Sequence, residues 1–174
     1  VASLEHVHAE TYVRLLHAWE GIELVVADPE GNAVEEGRRA TRDGIAGLGV
    51  TVLDSFDELF AASPDGIIVC TPNALHRDLV VQAAGAGVHV LCEKPLATDL
   101  ADAEAMIEAC ETAGVGLMLA YPVRFSPGMR DLKTLLDAGE IGTVLSFDGS
   151  NVARIPTGDR AWFGSAELAG GGAM

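Results

Sequence analysis

The chain has 174 residues, 49% of them hydrophobic and only 5% aromatic, with 20 glycines. That composition excludes a disordered or fibrous protein and suffices for one full domain and part of another. Its 26 acidic residues against 11 basic ones give a formal net charge of −15, a surface that repels phosphate backbones and excludes nucleic acid as a partner.

The chain opens in an apolar run, Val1–Ser3, which reads as the tail of a first strand. It stops at Met174 just after the glycines at 170–172, so an incomplete chain is expected. Tyr12, Leu15, Leu16 and Trp19 recur at helical spacing. Ile22–Ala27 then reads as a buried strand closed by Asp28-Pro29, and Val50–Leu53 and Gly66–Cys70 as two more. Asn73 stands as an N-cap before the stripe Leu75, Leu79 and Ala83. Val88–Cys92 is the next strand. A helix with Ala103, Met106, Ile107 and Cys110 on its apolar face follows Thr98 and ends at Gly114. Val115–Ala120 completes the set. Strand and helix in alternation predict right-handed crossovers and an α/β, doubly wound parallel sheet.

From about residue 121 the pattern changes. A helix opens at Ser126 with Pro127 in its first turn, buries Met129, Leu132, Leu135 and Leu136, and stops at Gly139. Thr143–Ile155 is partly alternating and reads as the first strand of a second, mostly antiparallel sheet. The expected organisation is a nucleotide-binding domain over 1–121 and the start of a second domain over 122–174. The lysines number two, Lys94 and Lys133, a scarcity that fits salt adaptation or coding bias equally.

No signal-peptide pattern and no apolar run of the ~18 residues that would span a membrane is found. The three cysteines, Cys70, Cys92 and Cys110, are odd in number and set in apolar runs. A soluble cytoplasmic protein with buried free thiols and no membrane partner is expected.

In an open parallel sheet, ligands bind outside the carboxyl ends of the strands. The residues that follow the predicted strands are therefore the candidate site: Ser3–His6, Asp28, Thr71-Pro72-Asn73, Glu93-Lys94-Pro95 and Tyr121-Pro122. Asp28, 25 residues after Ser3, is placed either to accept the ribose hydroxyls of an adenosine or simply to turn the chain before Pro29. Thr71–Asn73 either caps a helix or presents its free N–H groups to a cofactor. Lys94 is placed to hydrogen-bond a substrate hydroxyl or carbonyl, or to pair with Glu93. His76 faces the same cleft. His6 and His8 form an H-x-H pair without an apparent third ligand, so no metal is expected. His17 and His89 read as structural.

T-P-N-A-L-H at 71–76 with V-L-C-E-K-P-L at 90–96, then R-F-S-P at 124–127, G-E-I-G at 139–142 and E-L-A-G-G-G-A at 167–173, resemble the Gfo/Idh/MocA oxidoreductases. That resemblance implies a Rossmann domain followed by an α/β domain with an open sheet, and a homodimer or homotetramer. It also implies hydride transfer between NAD, in preference to NADP, and a hydroxyl-bearing carbon of a sugar, cyclitol or related polyol. Carried onto this sequence, Lys94 matches the family's catalytic lysine, and the Lys94–Pro95 bond is expected cis. Thr71, Pro72, Asn73, His76, Glu93 and Lys94 match cofactor-lining positions, Asp28 the ribose acid, and Arg124 the arginine of the R-F motif.

Three departures stand out. Ala2–Ala9 reads A-S-L-E-H-V-H-A where a glycine-rich phosphate loop is expected, and Glu5 adds a charge unfavourable to pyrophosphate. Pro122 replaces a frequent asparagine. The family's catalytic Asp and His fall beyond Gly172, so the segment alone is expected to be inactive. The alternatives on the same fold are a non-catalytic nicotinamide-binding regulatory protein and an NAD-dependent glycoside hydrolase. Arg154, Arg160 and Trp162 are placed to line a substrate pocket or to serve packing.

Overall fold

In the computed structural model the described residues are 1–29, 36–150 and 158–171. Five short strands follow the apolar runs: β1 Val25–Ala27, β2 Thr51–Leu53, β3 Gly66–Val69, β4 His89–Glu93 and β5 Leu117–Ala120. β1 pairs with β2 in parallel, and β3 with β4 in parallel, with β5 on the far side of β4. Ala2 stitches the two sets together through parallel bridges to Ala27 and Val69. Its N–H donates to Ile68 O and its carbonyl accepts from Cys70 N, both at 2.8 Å. The opening residues thus stand where a first central strand was expected.

Side chains alternate between the two faces of a strand, and the core divides accordingly. Val1, Val26 and Cys70 pack with Val13 of α1 (Ala9–His17) and Ile45 of α2 (Glu36–Ala46). Ala2, Ala27 and Val69 pack with the other helices: Leu59 of α3 (Phe56–Ala61), Val80 of α4 (His76–Gly85) and Met106 of α5 (Leu100–Ala113). The result is a sheet covered on both faces. Cys70, Cys92 and Cys110 are free and buried in it, and burial pushes the Cys92 thiol up to about 12.

Several expectations change. α2 and α3 were not anticipated. α2 is charge-rich with no long apolar stripe, and α3 is six residues long, capped by Ser55 accepting from Glu58 N. Asn73 is not an N-cap: a 3-10 turn, Asn73–Leu75, precedes α4, and the Asn73 amide donates instead to Ala169 O at 3.0 Å. α5 ends at Gly114 in a left-handed conformation, as its sequence requires.

By contacts the chain divides into Val1–Leu119 with Ile155–Met174, and Ala120–Arg154. The second unit holds a 3-10 turn, Pro122–Phe125, and α6, Pro127–Asp137. Met129 and Leu135 of α6 are exposed, contrary to expectation, because no residue of that helix is buried in this structure. Residues 143–150 of the anticipated strand are not strand, with Leu145 92% and Phe147 80% exposed; residues 151–155 lie outside the described residues. No helix among the described residues is long and apolar enough to cross a membrane.

Candidate active site

The first-unit residues named from the sequence gather at the carboxyl edge of the sheet. Ser3 follows Ala2 with φ of 74°, the left-handed backbone that a glycine would take without strain. Its hydroxyl accepts from Glu5 N at 3.1 Å, which offsets part of that cost. The next amide, Leu4 N, donates to Asp28 Oδ1 at 2.9 Å and ties the loop to the end of β1. Asp28 is 2% exposed, and Arg38 of α2 grips it from Nε (3.1 and 3.0 Å) and Nη2 (2.6 Å). Arg38 also reaches Glu5 at 3.3 Å. The Asp28 carboxylate is therefore held by several donors as a preorganised group rather than a loose turn residue.

Glu93 closes β4 with no exposed surface. Its Oε1 accepts from the Tyr12 hydroxyl at 2.7 Å and lies 2.8 Å from His8 Nδ1. Its Oε2 accepts from Lys94 N at 3.1 Å and lies 3.7 Å from His6 Nε2. Burial works to raise this carboxyl, but the Tyr12 and His8 hydrogen bonds help hold it below the usual carboxylate range. His6 is also buried, and burial depresses its pKa to about 3 despite the neighbouring carboxylate, so the ring is neutral at physiological pH. His6 Nε2 and Thr71 Oγ1 are buried without a hydrogen-bond partner among the described residues. Trp162, 7% exposed, donates from its indole to Glu5 O at 3.3 Å, and with Phe163 forms an aromatic wall beside His6.

Lys94 is half-buried, and its ammonium makes no hydrogen bond or ion pair among the described residues. The pairing with Glu93 is not formed, since that carboxylate faces His8, Tyr12 and the Lys94 amide instead. The Lys94–Pro95 bond is cis. His76 has no exposed surface. Its Nδ1 lies 3.0 Å from Pro95 O and 3.2 Å from Leu96 O, and its Nε2 lies 3.1 Å from Thr71 O. It clamps the Lys94-Pro95 turn onto Thr71. Pro72 is buried and Asn73 is 8% exposed, held by α7, Ala166–Ala169. Gly170 closes α7 at φ 80°, where a Cβ would meet Thr98 Cγ2 at 2.8 Å, so glycine is required at this approach.

Arg124 lies on the exposed 3-10 turn of the second unit. Arg154 lies outside the described residues, Arg160 is half-buried, and Trp162 serves the packing just described. A cavity of about 770 Å³ opens at the opposite edge beside Val25, Gly66 and Val90, and none of the candidate residues lines it. Sequence reasoning missed Tyr12, Arg38 and the company of His6 and His8. Tyr12 sits in a core-like helix stripe, Arg38 in a helix without a pattern, and Glu93 lies 85 residues from His8.

The profile described as "Oxidoreductase family, NAD-binding Rossmann fold" matches residues 6–121. The chain is 35% identical over 162 residues to a D-xylose 1-dehydrogenase (NADP(+)) of Haloferax volcanii, covering 88% of this chain and 50% of that one. It is 38% identical over 128 residues to the D-apiose dehydrogenase of Paraburkholderia graminis, covering 74% of this chain and 34% of that one. Among solved structures it resembles an aldose-aldose oxidoreductase from Caulobacter crescentus complexed with glycerol. That match has a TM-score of 0.75 and 28% identity, and covers 98% of this chain and 51% of the other. The chain thus spans half or less of the length of these curated relatives.

Proposed function

The chain belongs to the Gfo/Idh/MocA oxidoreductase family with its NAD-binding Rossmann fold, and from that premise we propose that the whole protein transfers a hydride between NAD and a hydroxyl-bearing carbon of a sugar, cyclitol or related polyol. The observation that carries this reading is the half-buried Lys94, its ammonium unengaged among the described residues, at the same sheet edge as Asp28 and Thr71.

The residues present fit the cofactor. Asp28 is a preorganised carboxylate for ribose hydroxyls, Ser3 keeps a glycine-like backbone at the missing loop, and Thr71 Oγ1 is a buried polar atom in need of a partner. Asp28, Thr71, Pro72, Asn73 and Glu93 would hold it, and the bound nicotinamide would supply the hydride chemistry. Lys94 donates a hydrogen bond to the reacting oxygen and steadies the charge that grows there as its proton leaves. His76 keeps Lys94 in place by bonding the backbone of the turn that carries it. The proposed organisation is a nucleotide domain over 1–121 followed by a substrate domain from 122, in a cytoplasmic homo-oligomer.

One observation favours a second cofactor reading. Arg38 sets a guanidinium beside the ribose acid, the group that a 2′-phosphate would pair with, and the Haloferax relative is an NADP(+) enzyme. The test is to assay the full-length protein against aldoses and cyclitols with NAD and with NADP. Lys94→Met is expected to lower kcat by ~100-fold or more. Cofactor bound without net reduction by any polyol would refute the dehydrogenase and leave a regulatory protein or an NAD-dependent glycoside hydrolase.

A further inference from the structure

We propose that His6, His8 and Glu93 form a binding site for a divalent transition-metal ion, with zinc the best match. This site does not depend on the dehydrogenase reading. Among the described residues these three side chains bring one ligand atom each within 4.8 Å of one another. Two imidazole nitrogens and one carboxylate oxygen are a donor set that suits zinc, and three protein ligands leave a coordination position open for an oxygen ligand.

The distances agree with that donor set. Zinc bonds of roughly 2.0–2.1 Å in a tetrahedron put ligand atoms roughly 3.3–3.4 Å apart. Here His8 Nδ1 lies 2.8 Å from Glu93 Oε1 and His6 Nε2 lies 3.7 Å from Glu93 Oε2. These contacts run to different oxygens of Glu93, and with one atom from each residue the three lie within 4.8 Å of one another, so shifts of side-chain size would bring them to one ion. The second observation is independent of spacing. His6 is 1% exposed, yet its Nε2 has no hydrogen-bond partner. A buried polar atom left unpaired and aimed at a carboxylate 3.7 Å away is what a site lacks when its central ion is the missing partner.

The surroundings support the ligands as outer partners support them in metal sites. The Tyr12 hydroxyl and the Lys94 amide donate to the Glu93 oxygens and fix the carboxylate. Trp162 and Phe163 wall off His6, and His8 is partly exposed and opens an entry path. Two contacts oppose the site, the first being the 2.8 Å His8 Nδ1–Glu93 Oε1 hydrogen bond, whose proton the ion would replace. The His8 amide donates to His6 Nδ1 at 3.3 Å, and binding through Nε2 leaves the ring proton on Nδ1, so that long contact is given up. The ion would place positive charge at the start of α1, where Glu5 stands in place of the usual glycines.

The test is a titration of the EDTA-dialysed chain with Zn²⁺ alone, in competition with a chromogenic chelator, and a parallel titration with Co²⁺ read by its visible d–d absorption. One equivalent is expected to bind, with the intense absorption of a four-coordinate site. His8→Gln and Glu93→Gln are each expected to weaken binding beyond the roughly 10–100-fold cost of losing a supporting partner. His17→Gln and His89→Gln, at histidines remote from the cluster, are expected to change nothing. His8 is the informative position because it is partly exposed, so its variant keeps the fold, as circular dichroism would verify. No stoichiometric zinc in the wild-type chain, or full affinity in folded His8→Gln, overturns the proposal.

Discussion

Replacing Glu93 by glutamine keeps the shape of the side chain and removes its charge. The carboxylate accepts from Tyr12 at 2.7 Å, from His8 at 2.8 Å and from the Lys94 amide at 3.1 Å. An amide offers one acceptor oxygen, and its NH₂ must face either the Tyr12–His8 pair or the Lys94 amide, donor against donor. Hydrogen bonds to a charged group are worth ~1.5–3 kcal/mol each, and a buried donor left unpaired costs ~1–3 kcal/mol. Relief from burying a charge acts in the opposite sense and removes part of this. The net expectation is a loss of ~2–4 kcal/mol, a large share of the ~5–15 kcal/mol that stabilises a domain. Urea unfolding of the metal-free chain at pH 7, followed by far-ultraviolet circular dichroism, reads the difference. Tyr12→Phe alone is expected to cost ~1–2 kcal/mol, and the double variant less than the sum, because both changes remove the same bond. A Glu93→Gln variant within ~0.5 kcal/mol of wild type, or strict additivity with Tyr12→Phe, would show that the network does not hold the site.

Acid is expected to weaken the fold through His6. An unfolded histidine takes a proton near 6.5, whereas the buried ring resists until about 3, so its contribution is complete above 6.5 and is lost as pH falls between those values. The slope is ~1.4 kcal/mol per pH unit. Glu93, held low, is lost in the same direction, so the reading that isolates His6 is a shallower slope in His6→Gln between pH 6.5 and 4. Identical slopes would refute it. Arg38→Ala is expected to weaken NADP binding ~tenfold more than NAD binding, and equal effects on both in calorimetry would remove Arg38 from cofactor choice.

Much of the sheet edge was legible because the rule that reads it is local: an apolar run ends, and the next residues stand at its carboxyl end. Asp28, Thr71 and Lys94 were found in that way. What the sequence hid were the partners. Arg38 is a charged residue in a helix of charged residues, and nothing in its spacing marks the grip on Asp28. The H-x-H pair was visible, but its third member comes from β4, and only the parallel stacking of strands brings Glu93 beside it. His76 was placed on the first turn of its helix, but its backbone partners Pro95, Leu96 and Thr71 were not legible, because a buried imidazole reads in sequence like an exposed one. Residues 143–150 show the opposite error: alternation suggested a strand, and Leu145 and Phe147 are instead exposed without sheet partners among the described residues.

The stitch at Ala2 has a consequence for how the molecule yields. β1–β2, which carries Asp28, and β3–β4–β5, which carries Thr71 and Lys94, are joined across the sheet by the backbone of Val1–Ser3, through bonds to Ala27, Ile68 and Cys70. Ala2 fills that seam with no exposed surface. Amides near Ala27 and Cys70 share those bonds and are therefore expected to exchange together. A ligand that spans the edge from Asp28 to Lys94 would act as a second seam, and would slow that exchange at residues it never touches.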